Sequence, residues 1–103
     1  MLTQQAIEDF KDFLDRNIAY AKVTVNGQEK QLAIHRRERL KDGRVAVYLN
    51  ITPQLGTTAT IQRVQLYNTN KQLWADKTER IVLSNVQEGA LYRFVFKITE
   101  QEV

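Results

Sequence analysis

The sequence predicts a mainly β (α+β) fold, in which an N-terminal helix packs on an antiparallel β-sandwich or barrel of about seven strands. Hydrophobic residues follow a helical repeat up to Asn17 and alternate after it. The later apolar runs are short, rich in β-branched and aromatic residues, and separated by turn sequences. The 103 residues fit a domain of ordinary size. We therefore predict one domain over 1–103, with a helix over 1–17 and an antiparallel β domain over 18–100.

The predicted helix has a start, an apolar side and an end. The hydroxyl of Thr3 can accept a hydrogen bond from a free amide of the first turn, so Thr3 is the expected N-cap. Asn17 is suited to ending the helix. Residues spaced three and four apart form a stripe that is expected to pack on the sheet, namely Ile7, Phe10, Phe13 and Leu14.

Asn26-Gly27 predicts the first hairpin, because a two-residue type I′ turn needs two residues with positive φ. Such a turn fixes which residues face each other and leaves one apolar side for burial. The expected pairs are Val25 with Gln28, Val23 with Lys30, Ala21 with Leu32, and Ala19 with Ile34.

Asp42-Gly43 predicts a second hairpin, whose return strand covers 45–51. A two-residue turn here would place Arg36 opposite Leu49 and Glu38 opposite Val47, on the side meant for the core. We therefore expect a bulge or an irregular loop within 36–41, with the basic residues projecting beyond the sheet.

The second half of the chain predicts further strands and turns. Apolar positions change parity along the strand that runs to Tyr67, which predicts a bulge near Gln62-Arg63. The last strand alternates aromatic residues with others and should bury one face. The expected segments are a loop after Pro53, a turn at 68–71, a short strand at 72–75, a polar loop at 76–80, an apolar run at 81–83, a turn at 84–89, and a final strand burying Tyr92, Phe94, Phe96 and Ile98.

The composition excludes several kinds of chemistry. With no cysteine, the chain can form no disulfide, thiol nucleophile, iron–sulfur cluster or Cys-type zinc site. The lone histidine, His35, and the lone serine, Ser84, lie in no catalytic motif. We therefore expect no cofactor, no metal and no enzymatic activity. Met1-Leu2-Thr3 begins no signal peptide, and no apolar run approaches the ~20 residues that span a bilayer, so the expected location is cytoplasmic.

The net charge of +3 is concentrated in one segment. Residues 36–44 carry five basic and two acidic residues, so the net charge of the rest of the chain is zero. Within that rest, the segment 8–16 is acidic. The basic residues form a candidate interaction patch: Arg36, Arg37, Arg39, Lys41 and Arg44. The patch has three interpretations, namely a solvated hairpin tip, a docking site for a protein and a nucleic-acid site. Nucleic acid is the least favoured, because the segment contains no aromatic residue for stacking.

Trp74 and Tyr48 leave a further alternative open. If their rings were exposed, they could form a stacking platform for a carbohydrate. Packing in the core or on a sheet face is the other interpretation of the same two residues.

The segment 61–75, Ile-Gln-Arg-Val-Gln-Leu-Tyr-Asn-Thr-Asn-Lys-Gln-Leu-Trp-Ala, resembles a signature of bacteriophage tail proteins. In the N-terminal domains of phage tail-fibre and tail-collar proteins, a strand of this type meets a short glycine-containing turn and returns. The resemblance extends over 56–75 and, more loosely, to the final strand at 91–98 and to small baseplate proteins of prophages. Gln65 and Lys71 depart from it, since the family has a frequent glycine at the first position and the turn glycine at the second.

The resemblance implies a structural adaptor without catalytic activity. Its expected partners are other tail or baseplate proteins, or further copies of itself in a homo-oligomer, and its final location is the virion. Apart from the resemblance, the sequence predicts no membrane partner, because it has no apolar run of sufficient length, and nucleic acid is the least favoured partner, because the basic segment has no aromatic residue. An acidic helix and a basic hairpin could pair between neighbouring copies.

Overall fold

The computed structural model describes residues 1–52, 58–83 and 90–97. The expected loop after Pro53, the turn at 84–89 with Ser84, and Ile98 in the last strand lie outside these residues. One helix precedes seven strands in the described chain: α1 Gln4–Asn17, β1 Ile18–Val25, β2 Gln28–Ala33, β3 Arg36–Arg39, β4 Val45–Ile51, β5 Ala59–Asn68, β6 Leu73–Leu83 and β7 Ala90–Phe96.

The strands form two antiparallel sheets, which confirms the predicted mainly β class. The four-stranded sheet has the order β2-β1-β5-β6, and the three-stranded sheet has the order β3-β4-β7. Strands β1, β4, β5 and β7 all contribute to one buried cluster, so the sheets pack face to face as in a β-sandwich. The cluster consists of Ile18, Ala21, Val23, Val47, Leu49, Ile51, Ile61, Val64, Leu66 and Phe94.

The first hairpin has the predicted register. Val25 pairs with Gln28 across the turn, and the ladder continues to Tyr20 and Ala33, which is one pair short of the expected Ala19–Ile34 contact. Both turn residues have positive φ, 51° at Asn26 and 79° at Gly27. The Asn-Gly turn therefore determines which side of β1 enters the core.

The second hairpin differs from the prediction by one residue. Arg36 lies opposite Tyr48 and Arg39 opposite Val45. The cause is the turn: the amide of Gly43 donates to the carbonyl of Leu40 at 3.0 Å, and Gly43 adopts a φ of 89°. This three-residue loop adds one residue to the expected two-residue turn.

The expectation of an irregular segment at 36–41 is therefore wrong for 36–39, which form the regular strand β3. A shift of one residue moves each side chain to the opposite face of a strand. Arg36 and Glu38 consequently lie on the outer face, with Tyr48, and never compete for the core.

The expected bulge in β5 is confirmed. Thr24 pairs with Arg63 and Val25 with Ile61, which leaves Gln62 as the extra residue. The side-chain oxygen Oε1 of Gln62 accepts a hydrogen bond from the amide of Gly27 at 2.6 Å. The bulge is thereby tied to the turn of the first hairpin.

The expected loop at 76–80 is wrong, because these residues belong to the continuous strand β6, Leu73–Leu83. β6 is an edge strand and pairs with β5 alone. Its polar residues are extended and mostly exposed. A polar strand at the edge of a sheet can therefore have the amino-acid composition that is typical of a loop.

Candidate interaction surfaces

Helix α1 begins at the predicted cap, but its apolar stripe divides between the core and solvent. The amide of Ala6 donates to the Thr3 hydroxyl at 3.2 Å. Leu14 is buried at 9% exposure, whereas Phe10 and Phe13 remain 50% and 49% exposed. The expectation that the whole stripe packs on the sheet is therefore wrong for the two phenylalanines.

An ion-pair cluster lies on the acidic side of α1, which faces the protein. The guanidinium of Arg39 in β3 lies 2.5 Å from a carboxylate oxygen of Asp12, 3.3 Å from Asp15 and 3.5 Å from Glu8. Lys11 is 7% exposed, and its Nζ is 3.4 Å from the Glu8 carboxylate. Because the helix turns its acidic side to the hairpin, the side that carries the phenylalanines faces solvent.

The exposed apolar side of α1 forms a shallow concave surface. It encloses about 520 Å³ and is lined by Leu2, Ala6, Asp9, Phe10 and Phe13. We call these five residues the outer face of α1. An exposed apolar patch of aromatic side chains with a charged rim is typical of an interaction site.

The basic segment does not form one free cationic surface. Among the described residues, four of its five basic side chains have partners within the chain. Arg36 lies 4.4 Å over the Tyr48 ring and 3.2 Å from Glu38, and Arg37 donates to the carbonyl of Ile18 at 2.7 Å. Arg39 binds the acidic side of α1, and Arg44 lies 2.6 Å from Asp42, which leaves Lys41 as the one side chain without such a partner.

The ion pair at the hairpin turn has an electrostatic effect on its acid. The backbone amide of Arg44 donates to the carboxylate of Asp42 at 3.1 Å, and this hydrogen bond is the main cause that lowers the pKa of Asp42. The Arg44 guanidinium acts in the same direction. The opposite charges of Asp42 and Arg44 therefore compensate each other within the turn.

The two aromatic residues weighed for carbohydrate binding lie in packed positions. Tyr48 is 8% exposed, and Arg36 covers one face of its ring. Trp74 is half-buried and packs edge-on against Phe96, with ring centroids 5.4 Å apart. This arrangement gives no open ring face at Tyr48 and supports the packing interpretation for both residues.

The outer face of the four-stranded sheet carries a polar and aromatic row that the sequence reasoning missed. The rings of Tyr20 and Tyr67 stack in parallel at 5.2 Å, and Lys22 lies 4.9 Å over the Tyr67 ring. The signal was available, since Tyr20 and Lys22 alternate with Ala21 and Val23 along β1. Tyr67 thus has two partners from β1, so the three side chains form a row of contacts within the chain on this face of the sheet.

Arg63 and Asp76 form a charged pair between β5 and β6. Arg63 donates two hydrogen bonds to the carboxylate, one of them from Nε at 2.8 Å. These hydrogen bonds are the main cause that lowers the pKa of Asp76, and they raise the pKa of Arg63. This geometry is a structural cross-strand contact.

The side chains that could support chemistry are dispersed. His35 is exposed, and its backbone amide donates to the carbonyl of Tyr48 at 2.9 Å. Among the described residues, no cluster of three or more His, Cys, Asp or Glu side chains could hold a metal ion. Over the same residues, no helix combines the length and the apolar character that a membrane crossing needs.

Comparison of the chain with protein-family models, with curated proteins and with solved structures finds no match.

Proposed function

We propose that this protein is a non-catalytic interaction module that assembles with other proteins through the outer face of α1, as a phage or prophage tail or baseplate component. One observation carries the assembly role: two phenylalanines are half exposed, side by side, on an ordered helix. Leaving such surface in water is unfavourable by ~25 cal/mol per Å². A partner that covers both rings would recover this free energy.

The turn between β5 and β6 supports the more specific tail assignment. The segment 61–75, which resembles the tail-fibre signature, includes the β5–β6 turn, most of the paired residues of β5 and the start of β6. Lys71 has a φ of 62°, a left-handed conformation, at the position where the family has its turn glycine. The backbone therefore has the shape that the family's glycine would favour, although the residue differs.

The nucleic-acid alternative receives less support from the same structure. Phosphate binding needs several cations free to contact the backbone of the nucleic acid. Arg37 and Arg39 instead bind a carbonyl and three carboxylates of their own chain. The basic segment is thus used mainly to hold the fold together.

Site-specific photo-crosslinking tests the proposed function. Phe10 is replaced by p-benzoyl-phenylalanine, the variant is expressed in the cell that encodes the protein, and adducts are identified by mass spectrometry after irradiation. We expect discrete adducts with a tail or baseplate protein or with further copies of the chain. The matched control carries the same photo-crosslinker at Gln31, an exposed position on β2.

Two results would contradict the proposal. One is an absence of discrete adducts from position 10. The other is the same set of adducts from position 31, since a specific interface on α1 cannot give equal crosslinking from a different element, the edge strand β2.

A further inference from the structure

Two charges on the exposed part of α1 remain unpaired within the described chain. Asp9 accepts a hydrogen bond from the Gln5 side chain at 2.9 Å, and over residues 1–52, 58–83 and 90–97 it forms no ion pair. Arg16 is exposed and forms no ion pair with another described residue. The other acids of the helix, Glu8, Asp12 and Asp15, are already bound to Arg39.

Asp9 and Arg16 flank the same side of the outer face. They are seven residues apart, which is close to two full turns or ~10.5 Å along the axis, so both lie beside Phe13. In an antiparallel pair of identical helices, the twofold axis places this flank of one helix next to the same flank of the other. Opposite charges at the two ends of one flank are therefore complementary to themselves.

An antiparallel register satisfies the aromatic and the charged residues together. When Phe10 lies beside the partner's Phe13, the twofold axis passes between residues 11 and 12. The partner's Arg16 is then displaced from Asp9 by only ~3 Å along the axis, which an arginine side chain spans easily. Ala6 is small and lets the two helix backbones approach closely.

We infer that the outer face of α1 binds a second copy of this chain, as an antiparallel helix pair with reciprocal Phe10–Phe13 contacts and Asp9–Arg16 ion pairs. This inference rests on the proposed function and names the partner. Two helices of four turns bury less than the ~1,200 Å² of a standard interface, so the isolated dimer is expected to be weak. We expect a dissociation constant on the order of 100 µM, which repeated copies in a larger assembly would strengthen.

Analytical ultracentrifugation of the purified chain across a wide concentration range tests this inference. The wild type should shift from monomer to dimer as concentration rises. Replacing both phenylalanines (Phe10→Ser with Phe13→Ser) should weaken the dimer by at least about tenfold, because the central contact is lost. Circular dichroism checks that each variant keeps its helix and sheets.

Charge exchange gives the sharper result. Asp9→Arg alone and Arg16→Asp alone should each weaken the dimer, because like charges then meet twice. The double variant Asp9→Arg with Arg16→Asp should recover wild-type association. An equimolar mixture of the two single variants should form a heterodimer at least as tight as the wild-type dimer. Lys30→Asp on the β2 edge has the same charge change as Arg16→Asp and should leave association unchanged.

The outcomes separate the inference from the proposed function. A chain that remains monomeric up to millimolar concentration overturns the second copy as partner, and so does a failure of the double variant to recover. If position 10 still crosslinks a different protein in cells, the proposed function stands, and that protein is the partner that binds the outer face of α1. If position 10 gives neither adducts nor a dimer, both are wrong.

Discussion

Lys71 shows how one residue can have the wrong side chain for its backbone. It ends the turn between β5 and β6 with a φ of 62°, and its amide donates to the carbonyl of Asn68 at 3.0 Å. A side chain with a Cβ atom is strained in this region by ~1 kcal/mol or more, whereas glycine is not.

We predict that Lys71→Gly stabilises the protein by about 0.5 kcal/mol, since relief of strain exceeds the added flexibility of the unfolded chain. Urea unfolding measures the change. Asn70→Gly is the matched control, because Asn70 is in the same turn without positive φ and should lose stability slightly. Equal effects of the two variants would contradict the strain at Lys71.

Arg39 connects helix α1 to the basic hairpin. It contacts three carboxylates on the side of the helix that faces the hairpin. From the sequence, replacing Arg36, Arg37 and Arg39 by glutamine is expected to lower the free energy of unfolding by only ~0.5 kcal/mol each, as at an ordinary surface. The structure gives Arg39 a larger role, because its loss would leave Glu8, Asp12 and Asp15 repelling each other.

We predict that Arg39→Gln destabilises the protein by about 1 kcal/mol, and that the difference from wild type shrinks in high salt, where exposed charges are screened. Urea unfolding at low and high ionic strength measures both. Lys41→Gln removes a charge from the same hairpin without removing an ion pair between described residues, so it should change stability little. A salt-independent difference would argue against an electrostatic cause.

The elements that depend on local patterns could be predicted from the sequence. The Asn26-Gly27 hairpin, the Thr3 cap and the bulge at Gln62 follow from turn chemistry, capping and parity, and all three are present. The errors had two different causes. The turn closed by Gly43 contains three residues instead of two, and this local difference shifted the register of β3 and β4 by one residue. Pairing with β5, which is a contact distant in sequence, kept a polar segment extended as β6.

The candidate site was harder to predict than the fold. The sequence shows Phe10 and Phe13 as members of an amphipathic stripe, and such a stripe normally faces a core. Nothing local indicates that Arg39, more than twenty residues later, would bind the other side of the helix. The sequence shows the basic residues as a cluster, but it does not indicate their partners within the chain. Those partners depend on the position of β3 beside α1.

The two sheets are joined by contacts between their edge strands as well as by the core. Tyr92 of β7 is partly buried and interacts with Glu79 of β6. Burial is the main cause that raises the pKa of Tyr92 from its ordinary 10.0 to about 12, and the negative charge of Glu79 acts in the same direction. The neutral phenol is therefore the form that stabilises the contact between the sheets.

This shift predicts a loss of stability in alkali. A group with a raised pKa in the folded state contributes its full stabilisation below the unfolded pKa, near 10, and loses it as pH rises towards about 12. Between these values the free energy of unfolding should fall more steeply for the wild type than for Tyr92→Phe, which cannot ionise at this position. Urea unfolding over this pH range measures the slopes, and parallel slopes would show that Tyr92 is not responsible.

The strand order has a consequence for synthesis on the ribosome. Strands β1 and β4 lie inside their sheets, yet β5 and β7, which complete their pairing, come much later in the chain. Both early hairpins can therefore form while their apolar faces and one row of backbone groups are still uncovered. Until the second half emerges, the nascent chain exposes surface that other nascent chains could pair with, so the protein is most vulnerable to misassembly halfway through translation.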